Sequence, residues 1–590
     1  MKKRFNLLCT ILFIVSLMMT YSCKKEFLTK LPPGVASAIQ MNTKDGVEAL
    51  LIGTYQATKG TDRFGGAMGT DWTYASGASD DAYKGTSAGD QSAFNEVSRY
   101  EALPSNPYMR GRWRDCYAGV ARANVVLEAL WATQKGAAPF DAVRAAQIEA
   151  EAKLLRAWFH FQANKIFENI PYIKTVTELG TTLPEMVPNS DPGWTGIEAD
   201  LQFAIDNLPT TKINNEPGRA TKYSAEAIKA HVFMSQNKFS SAKPLLEDII
   251  TSAKFSLVDW YWNFDMTHEN NTESIFELQC ASTGSSTQAM QLAGPCMHQA
   301  GPASCGGWGF FQPSEDLFEA YQVNASGLPI LDLASRAPLA NDMGKGSGDV
   351  FIPTTALLDP RVDWTIARRG VDFLGWGIHP GNSWIREQNN GGPYMTKKYM
   401  HKKDEQALNA NGTGFDNGKN YRMYRYAHIL LWRAEVAVEE TPPQLDAARL
   451  LVNQIRDRAK TSTQVMGLCT SYVNLGTVTP TVDYTKPAAN YKVEPYPVGA
   501  VAFATQAEAR KAVREEMRLE FATENLRFFD LRRWGIANTV LNTYITNDSK
   551  FRTFMIGAVY NPTKNDYWPL PQDQIDLQKG VLTQDPAFGK

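Results

Sequence analysis

Near the end of the chain, Ala512 to Trp534 (AVREEMRLEFATENLRFFDLRRW) carries two stripes that one helix must satisfy together. Val513, Met517 and Phe521 recur every four residues and form an apolar face. Glu516, Glu520 and Glu524 recur at the same spacing on another face. Like charges at i,i+4 cost a helix a few tenths of a kcal/mol per pair, so three in a row need cations from elsewhere. Arg527, Arg532 and Arg533 follow, set among Phe528, Phe529, Leu531 and Trp534, and are expected to supply them. An arginine fork grips a carboxylate with two parallel hydrogen bonds, which suits a partly buried helix-to-turn junction. Clustered carboxylates also serve acid/base catalysis or metal binding. The density of arginine here favours a structural ion-pair network.

Arg518, Glu520, Phe521, Glu524, Arg527, Phe528, Asp530, Leu531, Arg533 and Trp534 together resemble the R-x-E-(L/F)-x-x-E-x-x-R-(F/W)-x-D-L-x-R-W signature of the SusD/RagB family. Further segments are similar to that family: Glu26 to Gly34, Glu151 to Phe161, Asn271 to Leu278, Asp359-Pro360-Arg361, Tyr394 to Tyr399, and Tyr567 to Pro571. The resemblance runs from Cys23 to Phe588 and is weakest over 61–104 and 281–420. His428 stands where the family usually has Asp. The resemblance implies a nutrient-binding outer-membrane lipoprotein of the Bacteroidetes, partnered with a SusC/RagA-like TonB-dependent transporter and facing the cell exterior.

The N-terminus reads in the same direction. Met1-Lys2-Lys3-Arg4 is a basic region, and Leu7 to Met19 is an apolar run too short to span a bilayer. Thr20-Tyr21-Ser22-Cys23 comes next, so residues 1–22 read as a lipoprotein signal peptide and Cys23 as the lipidated mature N-terminus. Tyr21 is larger than usual in such a sequence, and the alternative is an ordinary secretory signal with an incidental cysteine. Pro32-Pro33 makes 23–41 an extended leader. No later segment reaches ~18 consecutive apolar residues, so the chain is expected to be tethered to a membrane rather than threaded through it. A net charge of −2 argues against a nucleic-acid partner, because phosphate neutralisation needs excess cations.

Amphipathic helices dominate the chain beyond the leader. The fold class expected is mainly α, a discontinuous helical solenoid like that of tetratricopeptide (TPR) repeats, forming a single SusD-like domain over 42–590. Its four helix pairs are expected near 112–168, 194–252, 421–460 and 503–540, after a first helix over Asn42 to Thr58. Ala225, Ala227 and Ala230 allow close helix approach, a brief turn at Gln236 to Lys238 starts the partner helix, and Gly218-Arg219-Ala220 is the expected cap. Two loop-rich insertions, 61–104 and 255–420, interrupt the pattern. The TPR assignment leans on the resemblance.

No H-E-x-x-H or phosphate loop is present, so the reading is a binding protein rather than an enzyme. No cofactor and no metal is expected. Cys296, His298 and Cys305 suggest zinc, but their irregular spacing fits packed or paired cysteines better. A sugar offers an apolar C–H face and a rim of hydroxyls, which flat aromatics and Asp, Asn or Arg side chains hold. The candidates are Asp71, Trp72, Tyr74, Asp81 and Tyr83 from the first insertion, and Trp308, Phe310, Trp376, Trp384 and Arg386 from the second. A tryptophan in a Gly-rich loop can instead pin the loop onto its own core. Three functions stand side by side: capture of an oligosaccharide, capture of a peptide, and a TPR adaptor without a small ligand.

Overall fold

The computed structural model describes residues 38–60, 71–280, 290–291, 297–298, 306–307, 309–409, 416–474 and 479–589. Cys23, Cys296, Cys305 and Trp308 lie outside the described residues. The last residues of the expected extended leader, Ala38–Met41, form a single helical turn.

The long helices are α1 (Lys44–Ala57), α2 (Pro107–Gln134), α3 (Ala142–Phe167), α4 (Trp194–Asn207), α5 (Lys222–Ser235), α6 (Phe239–Thr251), α7 (Tyr426–Glu439), α8 (Leu445–Thr461) and α9 (Gln506–Phe521). Each packs on the next in chain order from α1 to α9. This holds even for α6 and α7, although the whole second insertion lies between them in sequence. Two shorter helices, α10 (Arg527–Arg533) and α11 (Ala537–Asp548), close the series. The fold is therefore mainly helical.

Local chemistry sets the helix ends. α2 starts five residues before the expected Arg112 because Pro107 fits the first helical position and the Asn106 side chain accepts from the Tyr108 N–H. α5 is capped by a reciprocal Thr221–Ser224 box, not by Gly218-Arg219-Ala220. Ala225, Ala227 and Ala230 on α5 are fully buried, consistent with close approach of its neighbours.

Part of the first insertion is not a surface loop. Residues 71–86 are buried without interruption. Within them β1 (Ala82–Gly85) pairs antiparallel with β3 (Phe310–Pro313) of the second insertion, Ala82 opposite Pro313 and Gly85 opposite Phe310. The Ser314 hydroxyl, which caps the helix Glu315–Ala320, also donates to the Asp80 carbonyl. A second antiparallel pair, β2 (Ser274–Leu278) with β4 (Tyr421–Arg425), joins the two ends of the second insertion.

The three glutamates of α9 and the turn after it are buried and ion-paired. Their partners differ from those expected. Glu516 meets Arg361 and Arg456, each at 2.8 Å. Glu520 meets Arg361 at 2.9 Å, Arg425 at 2.5 Å, and Arg458. Glu524 meets Arg425 and Lys398, each at 2.9 Å. Arg527 instead grips Asp80 through two bonds of 2.8 Å. Arg533 grips Glu435 and Asp530, and Arg532 donates to the carbonyls of Lys165 and Asp566. The cause lies in the backbone: Thr523 and Asn525 take φ of 63° and 70° and reverse the chain after α9. α10 thus leaves the carboxylate stripe, and other segments fill it.

Burial pushes the Glu520 carboxyl toward the neutral form, but Arg458, Arg425 and Arg361 together hold its pKa well below the usual carboxylate range. Glu520→Gln, which leaves buried arginines uncompensated, is expected to destabilise the fold by about 3–5 kcal/mol, read as a lower urea midpoint. A folded-state pKa below the unfolded value gives stability that is present at neutral pH and lost as pH falls below about 4.5. Stability of the Glu520→Gln protein should therefore fall less steeply than wild type across that acid range.

A candidate ligand cleft

The structure moves most of the sequence candidates into the core. Trp72 is 1% exposed, its ring held edge-on to Phe94 at 4.8 Å and against Phe310 and Phe311. Asp71 is clamped by Arg112 at 2.6 Å and by Lys165. The Tyr74 hydroxyl donates to the Tyr108 carbonyl, and its ring lies under Arg112. Asp81 faces Arg518 at 3.3 Å. The Tyr83 hydroxyl lies within hydrogen-bond distance of both Glu315 and Asp548 while Arg552 covers its ring at 4.1 Å. Phe310 is buried with them. These six side chains have no face left for a ligand: the aromatics pin the insertion to the core, and the carboxylates are consumed by buried cations.

A second, smaller apolar cluster offers more. Trp260, Tyr261, Phe264, Phe373, Leu374, Ile385, Met395 and Met400 form its buried part, and Trp364, Trp376 and Trp384 sit half-buried at its margin. Beside it opens a cleft of about 750 Å³, lined by Trp364, Asp372, Leu374, Lys402, Asp404 and Gln464 among others. Trp364 follows Arg361, whose guanidinium is tied to Glu516 and Glu520. Its ring stacks on Tyr261 at 4.2 Å and 27°, and its indole N–H donates to the Thr463 carbonyl at 2.7 Å. The indole is thereby fixed before any ligand arrives.

Another wall is a tight turn in which Leu374 and Gly375 take φ of 52° and 78°, and the Phe373 N–H donates to the Gly377 carbonyl. Gly375 suits that left-handed position; Leu374 holds it at a cost that the packing around it must meet. The buried Lys397 ammonium links the two walls, donating at 2.6 Å to the carbonyls of Asp363 and Asp372. Burial lowers its pKa to about 8. Lys403, Asp404 and Gln464 line the cleft, and their side chains have no hydrogen-bond or ion-pair partner among the described residues. A fixed aromatic face with an open polar rim is suited to holding a hydroxyl-rich ligand.

Of the sequence candidates, Trp376 donates from its indole to the His401 carbonyl next to this cleft, and Trp384 packs edge-on to Phe373 at 6.0 Å. Arg386 reaches away, to Asp90 and Thr86 of the first insertion. Sequence reasoning did not single out Trp364, Asp404 and Gln464, which line the cleft. The signal that could have found them was the run Trp260-Tyr261-Trp262, three adjacent aromatics in a segment otherwise rich in turns. Among the described residues no cluster of three or more His, Cys, Asp or Glu could hold a metal ion, and no helix is long and apolar enough to cross a membrane.

A family model described as "SusD family" matches residues 272–588, and one described as "Starch-binding associating with outer membrane" matches residues 26–234. SusD-like proteins P2 and P25 of Formosa agariphila are 24% and 22% identical over 98% of this chain, covering 99% and 98% of their own lengths. A SusD superfamily protein from Bacteroides vulgatus superposes with a TM-score of 0.64 at 22% identity, over 92% of this chain and 98% of that one. Surface glycan-binding protein A from Bacteroides thetaiotaomicron, solved in complex with laminarihexaose, superposes with a TM-score of 0.62 at 21% identity, over 92% and 99% of the two chains. At these identities the likeness to solved structures is one of fold.

Trp72→Ala should act as a core deletion, costing about 3–5 kcal/mol of stability. A lowered urea midpoint checks this. A protein with the wild-type midpoint that has lost a ligand would return Trp72 to the binding surface.

Proposed function

The chain belongs to the SusD family, and from that premise we propose that it is a cell-surface lipoprotein that captures an oligosaccharide in the cleft beside Trp364 and passes it to a SusC-like TonB-dependent transporter. The observation that carries the reading is the Trp364 indole, locked by Tyr261 and Thr463 and lining one cleft with Lys403, Asp404 and Gln464. The starch-binding description of one matching family model and the laminarihexaose complex of a structural relative support a carbohydrate over a peptide. They equally support capture over catalysis. Trp376 and Trp384 extend the aromatic margin on the same cluster. Anchoring falls to Cys23, and a tethered transporter raises the effective ligand concentration, so modest affinity at one cleft suffices.

Calorimetry of the soluble domain against a panel of plant, host and microbial glycans, with peptides as the competing class, tests the reading. Loss of a stacked aromatic removes about 1–3 kcal/mol, so Trp364→Ala should bind the positive glycan from tenfold to over a hundredfold more weakly. Peptides bound where every glycan fails would reverse the ligand class. In cells, Cys23→Ala should release the protein from the membrane fraction; retention there would refute the anchor. Recovery of the wild type with a barrel transporter from detergent extracts checks the partner.

A further inference from the structure

Trp260, Tyr261 and Trp262 occupy one short turn, Trp260–Phe264, and point three ways. Trp260 is buried and donates its indole N–H to Glu520 at 3.1 Å. Tyr261 backs Trp364 in the cleft already described. Trp262 is 41% exposed, yet its ring is not loose: it lies on His268 at 4.1 Å with the planes 6° apart. It faces a second cleft of about 770 Å³, whose lining includes Phe255, Asp259, Tyr426, Gln454, Asp457 and Ser462. Gln454 and Asp457 are exposed on α8, and their side chains have no hydrogen-bond or ion-pair partner among the described residues. This cleft repeats the composition of the first: a flat, pre-oriented indole together with open amide and carboxylate groups.

The two clefts are neighbours. Ser462 lines one and Gln464 the other, and two residues of chain span at most about 7 Å. Thr463 forms the saddle between them. Its N–H donates to Asp259 at 2.7 Å on one side, and its carbonyl accepts from the Trp364 indole at 2.7 Å on the other. A second link runs beneath: the buried Asp265 carboxylate holds His268, the support of Trp262, at 2.8 Å, and Lys402, a lining residue of the first cleft, at 3.3 Å. Both aromatic faces are thus held in one rigid frame.

We propose that the two clefts form a single track for an oligosaccharide long enough to cross the Thr463 saddle, with one sugar ring on Trp364 and another on Trp262. The proposal rests on the glycan reading above. Short oligosaccharides fill one cleft, and longer ones gain the second indole without a second loss of overall freedom.

The test is calorimetry with laminari- and malto-oligosaccharides from disaccharide to heptasaccharide, against wild type, Trp262→Ala, Trp262→Phe and Trp364→Ala. For wild type, affinity should rise by about tenfold or more once the chain spans both clefts. Trp262→Ala should bind disaccharides as wild type does and lose the gain for longer chains, Trp262→Phe should restore part of it, and Trp364→Ala should weaken every length. Unfolding curves matching wild type for the Trp262 variants exclude a folding defect. A wild type that binds heptasaccharides no more tightly than disaccharides, or a Trp262→Ala protein that retains the full gain, overturns the track while leaving the first cleft intact. A wild type that binds nothing in either series or in the wider glycan panel sinks the glycan reading itself.

Discussion

The Glu520 carboxylate gathers Arg361 from the second insertion, Arg425 from β4 and Arg458 from α8, together with the indole N–H of Trp260. A buried charge is tolerable only when its desolvation cost is offset by partners with good geometry, and here each partner comes from a different part of the chain. The segments are therefore coupled: none can leave without stranding a charge in the interior. The same segments carry the clefts. Trp364 follows Arg361, Ser462 to Gln464 follow Arg458 at the end of α8, and Trp262 follows Trp260. The clefts are an outward continuation of the ion-pair network.

A parallel arrangement holds the first insertion. Asp80 takes Arg527 and Arg518, and Asp71 takes Arg112 and Lys165, so a segment without long helix or strand is fastened by charge as much as by apolar packing. Lys398 completes the junction, donating to the Ala522 carbonyl and to Glu524 where the chain reverses after α9. Buried polar groups of this kind are costly when half satisfied and rigid when complete. That rigidity suits a scaffold whose loops must present aromatic rings in fixed orientations, since a ring already held in place loses little freedom when a ligand stacks on it.

His428 illustrates how such a frame accommodates a neutral polar side chain. It accepts from the Arg425 N–H at the start of α7 and stacks on Phe521 at 4.2 Å. Burial and the Arg425 charge keep it neutral, with a pKa lowered to about 3, so it caps the helix without adding a charge to the network. The arginine beside it stays committed to Glu273, Glu520 and Glu524.

The sequence by itself determined the helices, because their signals are local: the four-residue stripe of Val513, Met517 and Phe521, the small residues of α5, and the short turn at Gln236 to Lys238 all act within a few turns of chain. It also carried the SusD signature, whose residues can be read in order. Partner choice was not local. Glu520 pairs with residues as far away as Arg361, and Arg527 with Asp80, because a single reversal at Thr523 and Asn525 turns α10 away from the carboxylate stripe. The same limit decided the aromatics. Trp72 and Trp364 are chemically identical and both sit in turn-rich segments, yet one is sealed beneath Phe94 and Phe311 while the other lines an open cleft. Exposure depends on what distant segments pack over a side chain, and only the tertiary structure brings those segments together.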